Sequence, residues 1–485
     1  MQNKEESKNS REIIFNILND YFKKYCNLKD LINNYLNNSQ LSVVNKNFVY
    51  NISKGIIRNY LSIDYFISFF SKIKLDKLDF EILNILRLGV FQAVFLTRVP
   101  DYSIVNECVE IAKKHSSLSS ANFVNAVLRK ITSLDNIKAA YSGKIKELRD
   151  PIYKISIYYS FPEWVVKYWV EQYRIEKTVK ICKALNENPT IYFKINTLKA
   201  GKDSIYKEIK SIGSAGMAEY FEGSSFGILS DSQDLLKSDL LKNGFIYIQD
   251  LSSQIAVKYF LAPMENETIL DVCCAPGGKA VNSSIAINDT GTIIAIDNNK
   301  DRLVSIRENI KRMGIKNIKV ILADATKKSF LKTGFAEDNY SKDNKINANA
   351  LKFDKIFIDA PCSALGTSSK NPDAKYNKNP GDIRHLKINS LKMLQNCDEY
   401  LKIGGKMVFY TCTLSLFENK NVIENFLSVF KNKYKIEIID IGQIFNDLTP
   451  ENSKACNFKS DGFFEIMPYY FKSEGATVCS LIKIA

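Results

Sequence analysis

Six short apolar runs, at 269–273, 293–296, 318–322, 355–358, 406–410 and 436–439, constrain the fold of this chain more than any other feature. Each has the length of a buried strand, and helical runs separate most of them, so the pattern predicts a parallel, doubly wound α/β sheet. An open sheet of that kind binds its ligands outside the carboxyl ends of the strands. The run ending at Ile358 leads into Asp359-Ala-Pro-Cys-Ser363, and the run ending at Tyr410 leads into Thr411-Cys-Thr413, which puts Cys362 and Cys412 on that edge. The first run enters the loop Cys273, Cys274, Ala275, Pro276, Gly277, Gly278, Lys279, whose glycines let backbone approach a small cofactor closely. Two thiols and a cofactor loop on one edge point to covalent catalysis.

Ahead of this region the spacing changes. From Ser10 to about Ile137 apolar residues recur at helical intervals, as in Ile13, Ile14, Ile17, Leu18, Tyr21 and Phe22, with Ser10 placed to cap the first helix. Pro100-Asp101 separates two such helices, and Lys113, Lys114, Arg129 and Lys130 form basic helix ends that can meet phosphate or simply face water. Phe161-Pro-Glu-Trp164 opens a helix through Tyr173, a second helical run follows, and 190–195 reads as a strand ended by Asn196-Thr197. The layout is multidomain: an all-α domain over 1–140, a small α/β domain over 141–244 and an α/β Rossmann-like domain over 245–485. Residues 333–351, rich in Lys, Asp and Asn without periodicity, read as a surface insertion or disordered loop.

With 485 residues, 45% of them hydrophobic, the chain is long enough for several buried cores. Its ten cysteines include the vicinal Cys273-Cys274 and follow no disulfide or zinc spacing, so they read as reduced cytosolic thiols. The polar amino terminus lacks a secretory h-region. The apolar stretch 82–96, broken by Asn84, Arg87 and Gln92, is too short for a membrane span and suits a buried helix. The expectation is a cytoplasmic monomer with no membrane contact and no metal. A formal charge of +14 is what a nucleic-acid binder carries, although a genome composition rich in Lys, Asn and Ile codons would raise it too. Only His115 and His385 occur, which argues against histidine-based metal or triad chemistry.

The loop Ala275-Pro-Gly-Gly278 lacks Gly-x-Gly-x-x-Gly, which disfavours a nicotinamide dinucleotide. Asp297 ends the second run, where a carboxylate can accept both hydroxyls of a ribose, and Asp324 follows the third, where it can accept an adenine amine. Either could equally cap a helix. A glycine loop without a phosphate cradle, with two strand-end carboxylates, suits a nucleoside carrying no phosphate, namely S-adenosylmethionine. A methyl donor beside two thiols narrows the reaction, because nitrogen and oxygen nucleophiles need no covalent help and carbon 5 of a pyrimidine does. A thiolate added to carbon 6 makes carbon 5 nucleophilic, and a carboxyl such as Asp359 can hydrogen-bond or protonate N3. One cysteine attacks and the other can assist release; spacing does not say which. Either cysteine taken alone could be a buried structural thiol.

At these residues the chain closely resembles the RNA cytosine-C5 methyltransferases, in particular the bacterial RsmB (Sun/Fmu) type acting on 16S ribosomal RNA. The matching pieces are Gln249-Asp250 with Ser253-Gln254, Asp271 through Lys279, Asp297, Asp324, Asp359-Ala-Pro-Cys-Ser363, Asn371-Pro-Asp373 with Lys375, Gly404-Gly405, Thr411-Cys412 and Glu418-Asn419. The first domain resembles the NusB-like RNA-binding domain of this subgroup, most clearly over residues 121–129. The resemblance implies S-adenosylmethionine as cofactor, with contacts from Cys273 through Lys279, Asp297, Arg302, Asp324 and Asp359. It implies RNA, and 16S RNA first, as partner, Cys412 as nucleophile and Cys362 as the residue aiding release. A transfer-RNA methyltransferase and a non-catalytic RNA-binding assembly factor are the rival readings. The chain departs from the family at Ala364-Leu365-Gly366, where Gly-Thr-Gly is usual, at Ser369-Lys370, where paired arginines are common, and at Lys194, often arginine.

Overall fold

The computed structural model describes residues 2–24, 26–97, 99–212, 217–221, 225–228, 233–337, 351–440 and 461–485. They fall into two compact units, Met1–Asn186 with Lys370–Lys378, and Glu187–Ser369 with Asn379–Ala485. Among the described residues no helix is long and apolar enough to cross a membrane.

The first unit is built from helices Gln2–Lys24, Leu28–Asn37, Val43–Ser68, Phe80–Phe95, Asp101–His115, Leu118–Thr132, Ile137–Lys146, Pro151–Tyr159 and Glu163–Asn186. Side chains of Asn27, Asp79, Ser117, Asn136 and Asp150 start five of them by accepting a first-turn N–H. Ser10 does not cap: the first helix begins at Gln2, so Ser10 lies inside it and is buried. The apolar stretch expected as a buried helix is Phe80–Phe95, and its polar interruptions are buried with it. Asn84 donates to Asn19 at 2.7 Å, Arg87 grips Asp64 through two nitrogens at 2.7 and 2.6 Å, and Gln92 accepts from Arg11 at 2.8 Å. Pairing removes the penalty that would otherwise expel them. Helix Glu163–Asn186 breaks at Arg174 (φ 63, ψ 169), directly after Tyr173.

The segment Lys370–Lys378 belongs to this helical unit. Lys375 is fully buried and donates to the carbonyls of Arg58, Tyr159 and Ser160 at 3.1–3.3 Å and to Asn186 Oδ1. Its ammonium lies 4.0 Å from the centre of the Phe161 ring. Asp373 accepts the Leu28 N–H at 3.3 Å, and the Tyr376 ring lies 4.4 Å from that of Tyr60.

In the second unit, β1 (Ile191–Ile195), β2 (Met217–Phe221), β3 (Ser225–Ile228) and β4 (Ile246–Ile248) form an antiparallel sheet in the order β2-β3-β1-β4. Phe193, Ile195 and Ile246 pack on one side with Ile205 and Ile209 of helix Lys202–Ser211, while Tyr192 and Tyr247 turn to the other and join the core of the larger sheet. That sheet contains β5 (Thr268–Val272), β6 (Thr292–Asp297), β7 (Ile318–Leu322), β8 (Phe353–Asp359), β9 (Leu401–Thr411), β10 (Tyr434–Glu437), β11 (Phe463–Ile466) and β12 (Ala476–Lys483). The order is β10-β12-β9-β8-β5-β6-β7, with β11 also paired to β12.

Strands β9, β8, β5, β6 and β7 are parallel, as the alternation predicts. The whole sheet is mixed, however, because β12 runs antiparallel to β9, β10 and β11. β12 follows β11 after only the short helix Pro468–Phe471 and pairs antiparallel, a return that needs no long crossover helix to announce it. Successive residues point to opposite faces: Ile269, Ile293, Ala295, Phe357 and Val408 meet helices Gly278–Ala286 and Lys300–Met313, and Leu270, Ile294, Ile356, Ile358 and Met407 meet helices Pro380–Cys397 and Lys420–Phe430. Burial on both faces is why these strands read as continuous apolar runs. Residues 333–337, expected to begin an insertion, instead continue helix Phe330–Glu337; 338–350 lie outside the described residues.

Candidate active site

The carboxyl ends of β5, β6, β7 and β8 frame a cavity lined by Val272, Cys273, Ile296, Asp297, Asn298, Arg302, Ala323, Asp324, Ala325, Pro361 and Met393. Of the residues expected at a cofactor, Cys273, Asp297, Arg302 and Asp324 meet there. Cys274 does not: it is buried in the apolar core, and its N–H donates to Ile296 O at 3.0 Å. Asp297 ties loop to strand, one oxygen accepting Ala275 N–H at 3.3 Å and the other Asn299 N–H at 3.0 Å. It is not the cap of the following helix, a role taken by Asn299. A carboxylate has about four acceptor sites, so both oxygens can still accept hydroxyls. Asp324 is held by Thr326, whose N–H and hydroxyl donate to Oδ1 at 3.0 and 2.6 Å. The loop turns at Gly277 with φ +97, a conformation other residues rarely take, and a Cβ there would come within 3.1 Å of Ile306. Met393, delivered by helix Pro380–Cys397, is a lining residue that no local sequence signal marks.

Beside this cavity β8 and β9, paired in parallel, present their thiols to each other. The sulfurs of Cys362 and Cys412 are 3.2 Å apart. The hydrogen bond to Cys362, then burial and the neighbouring charges of Cys362, Asp359 and Glu474, push the Cys412 thiol well above its usual range. A thiolate at this position would need a compensating cation. A buried cation of this neighbourhood is Lys279, whose Nζ donates to Asp359 at 2.6 Å and sits 4.6 Å from the centre of the Tyr410 ring. Burial works against its charge, but Asp359, by charge and hydrogen bond, then Asp271 and Cys412 outweigh it and hold the ammonium above its ordinary value. Lys279 is a residue of the expected cofactor loop, and its side chain bonds Asp359 at the end of β8. Tyr410 is braced in turn, its hydroxyl 2.8 Å from that of Ser252, which donates to Asp250 at 2.8 Å.

Asp271 is buried with neither oxygen in hydrogen-bonding geometry. Burial drives its carboxyl up to about 7, against the partial opposing pull of Lys279 and the nearby Ala280 amide. Gly366 explains the part of Ala364-Leu365-Gly366 that keeps the family's pattern. Its N–H donates to Cys412 O at 3.1 Å, it accepts from Gly475 at 2.9 Å, and a Cβ would lie 1.8 Å from Gly475 O. Asn371, Asp373 and Lys375, which the resemblance also marks, lie in the helical unit and not in this cluster.

Known proteins share this fold. Residues 258–465 match the family described as 16S rRNA methyltransferase RsmB/F, residues 8–133 the NusB family, and residues 161–221 the ferredoxin-like domain of RsmF/B-like methyltransferases. The chain is 29% identical over 471 residues to the probable ribosomal RNA small subunit methyltransferase B of Bacillus subtilis (strain 168), covering 95% of each. It is 26% identical over 476 residues to the like-named protein of Synechocystis, covering 98% of this chain and 99% of that one. The crystal structure of PH0851 has the same fold over 98% of this chain and 99% of its own, with a TM-score of 0.72 at 20% identity. Fold and site thus define a Rossmann-like methyltransferase. Its catalytic domain matches the RsmB/F methyltransferase family over residues 258–465, with a NusB-type helical domain and a ferredoxin-like domain ahead of it.

Proposed function

We propose that this enzyme methylates carbon 5 of a cytosine in RNA, 16S ribosomal RNA first, in the cytoplasm, with S-adenosylmethionine as methyl donor. The observation that carries the reading is the pair of sulfurs 3.2 Å apart beside the Lys279–Asp359 ion pair. A methyltransferase acting on nitrogen or oxygen has no use for two thiols, whereas carbon 5 is a poor nucleophile until sulfur adds to carbon 6. The cavity fits the cofactor's nucleoside: Asp297 suits the ribose hydroxyls, Asp324 the adenine amine, and the loop turning at Gly277 allows close backbone approach without a phosphate cradle. When bound, the cofactor supplies an electrophilic methyl group on a sulfonium.

The protein's own part begins with Cys412, whose thiolate, facing the Lys279 charge, bonds to carbon 6. The electron pair of the carbon 5–carbon 6 double bond is then available at carbon 5. Asp359, hydrogen-bonded to Lys279, holds N3 of the base through a proton taken up from solvent as the base binds and given back when the double bond re-forms. After methyl transfer a base takes the carbon 5 proton, the double bond re-forms, and the carbon–sulfur bond breaks with its pair returning to Cys412. Cys362 is assigned to assist that release. The target base must be unstacked to reach the thiol.

The test is to incubate enzyme and labelled S-adenosylmethionine with unmodified 16S RNA or transfer RNA and map 5-methylcytosine. Label in 16S RNA is expected; label only in transfer RNA overturns the substrate, and none in either overturns the activity. Cys412→Ala should abolish turnover, and Cys362→Ala should accumulate a denaturant-resistant protein–RNA adduct. An active Cys412→Ala enzyme reverses the assignment.

A further inference from the structure

Behind the two thiols lie two adjacent buried side chains, Glu418 and Asn419, to which the reaction above gives no task. They sit where the chain leaves β9 for helix Lys420–Phe430, and each engages the flank of a different cysteine. Glu418 serves the Cys362 side. One of its oxygens accepts the Ser363 N–H at 2.6 Å and the other accepts the Ser363 hydroxyl at 2.8 Å. That hydroxyl also lies 3.0 Å from Oγ1 of Thr413, so the clamp reaches the neighbouring loop. Asn419 serves the Cys412 side. Its amide donates to Thr413 O at 3.0 Å and to Thr477 Oγ1 at 2.8 Å, and its carbonyl accepts the Thr411 hydroxyl.

Burying a carboxylate is costly unless its oxygens are satisfied, and charge-assisted bonds to an N–H and a hydroxyl are strong, short and directional. A carboxylate spent on the residue next to Cys362 therefore fixes that loop more firmly than a neutral contact would. Asn419 grips the residues on both sides of Cys412 and so sets the direction of its sulfur.

We propose that Glu418 and Asn419 are positioning residues with divided duties, Glu418 setting the Cys362 thiol for release and Asn419 setting the Cys412 thiol for attack. The inference rests on the roles given to the two cysteines above. A general packing role would weaken both steps alike; divided duties separate them.

The experiment uses full-length enzyme, S-adenosylmethionine and radiolabelled unmodified 16S RNA transcript. It reads three quantities: steady-state methylation, denaturant-resistant adduct at single turnover, and thermal unfolding. Glu418→Ala should lose about 10-fold or more in turnover while adduct still forms and accumulates, as in Cys362→Ala; Glu418→Gln, which keeps an acceptor for the Ser363 N–H, should stay within about threefold of native. Asn419→Ala should lose adduct and turnover together by about 10-fold or more. Where Glu418→Ala does not fold, Ser363→Ala decides: adduct enriched over native supports the division, and unchanged adduct overturns it. If Glu418→Ala and Asn419→Ala depress adduct and turnover by the same factor, or leave both within twofold, the division is overturned. If Cys362→Ala accumulates adduct and Glu418→Ala does not, this inference fails while the cysteine roles stand. If Cys362→Ala gives no adduct, the roles fail and the inference falls with them.

Discussion

Lys375 in the helical unit and Lys279 at the sheet edge are both buried cations, held by opposite means. Lys375 meets three backbone carbonyls, an amide oxygen and an aromatic face. Burial, then the Arg58 charge, press its pKa well below the usual lysine range. Lys279 is buried too, yet the charges of Asp359 and Asp271 carry its pKa the other way. Neutral acceptors give a lysine that knits helices together. Carboxylates give one that keeps its proton at the strand ends that carry the paired thiols. The same contrast runs through the two regions: Asn84, Arg87 and Gln92 are paired in the helices, whereas the sheet edge keeps an orphaned Asp271 and a suppressed Cys412 thiol. At these positions the helical unit pairs its buried polar groups, and the sheet edge holds two of its own away from their ordinary state.

The sharpest way to break this comparison is to replace each lysine by methionine. Lys279→Met should lower kcat by about 10²- to 10⁴-fold. Its stability should move by less than about 2 kcal/mol, because Asp359 retains access to water once alone. Lys375→Met should do the reverse, costing about 2–5 kcal/mol by orphaning buried carbonyls while kcat per folded molecule stays within about threefold. Urea unfolding and initial rates on the same preparations decide it. Equal loss of activity and stability in both variants would erase the distinction.

Asp271 tests the same contrast through pH. Its carboxyl titrates at about 7 when folded, against an ordinary 3.8, so between these values the folded protein binds a proton that the unfolded chain has released. Stability from this group is full below the unfolded value and is lost as pH rises through about 7. Asp271→Asn should therefore gain stability over native at pH 8 relative to pH 5, by about 1–3 kcal/mol, less than the full shift implies because water enters as the site ionises. Thermal unfolding of both proteins at the two pH values reads the difference. A variant whose pH slope matches native would mean Asp271 is already ionised and compensated.

Much of this was legible in the sequence, and the exceptions have physical causes. The parallel strands announced themselves because burial on both faces demands unbroken apolar runs, and both cysteines followed because each lies just past such a run. β12 escaped notice because it returns antiparallel without a long crossover helix, and the first helix extends ahead of Ser10 over polar residues that periodicity ignores. At the site, the loop and strand-end carboxylates were readable from position alone. Met393 was not, since a helix late in the chain delivers it, and neither was the reach of Lys279 to Asp359, which depends on a side-chain path across two strand ends. Asn371 through Lys375 carries the opposite lesson: a motif that follows Cys362 closely in sequence belongs in space to the helical unit.

The finest test sets one backbone conformation in the two regions against itself. Ser160 in the helical unit and Ala364 at the sheet edge both have left-handed φ, 52° and 58°. Ser160 is compensated: its hydroxyl accepts the Leu61 N–H at 2.9 Å and its carbonyl accepts from Lys375 at 3.3 Å. Among the described residues Ala364 accepts the loop's own bonds from Thr367. An alanine in this region carries a steric cost of about 1–2 kcal/mol, and glycine removes it while giving back about 0.5–1 kcal/mol in unfolded-chain entropy. Ala364→Gly should thus stabilise by about 0.5 kcal/mol, seen as a higher urea midpoint at unchanged slope. Ser160→Gly should destabilise by about 1 kcal/mol, since the strain relieved there is outweighed by the hydrogen bond lost. If both glycines shift the midpoint in the same direction, the left-handed turn at Ala364 is as well supported as that at Ser160, and the sheet edge is no more strained than the helices at this level.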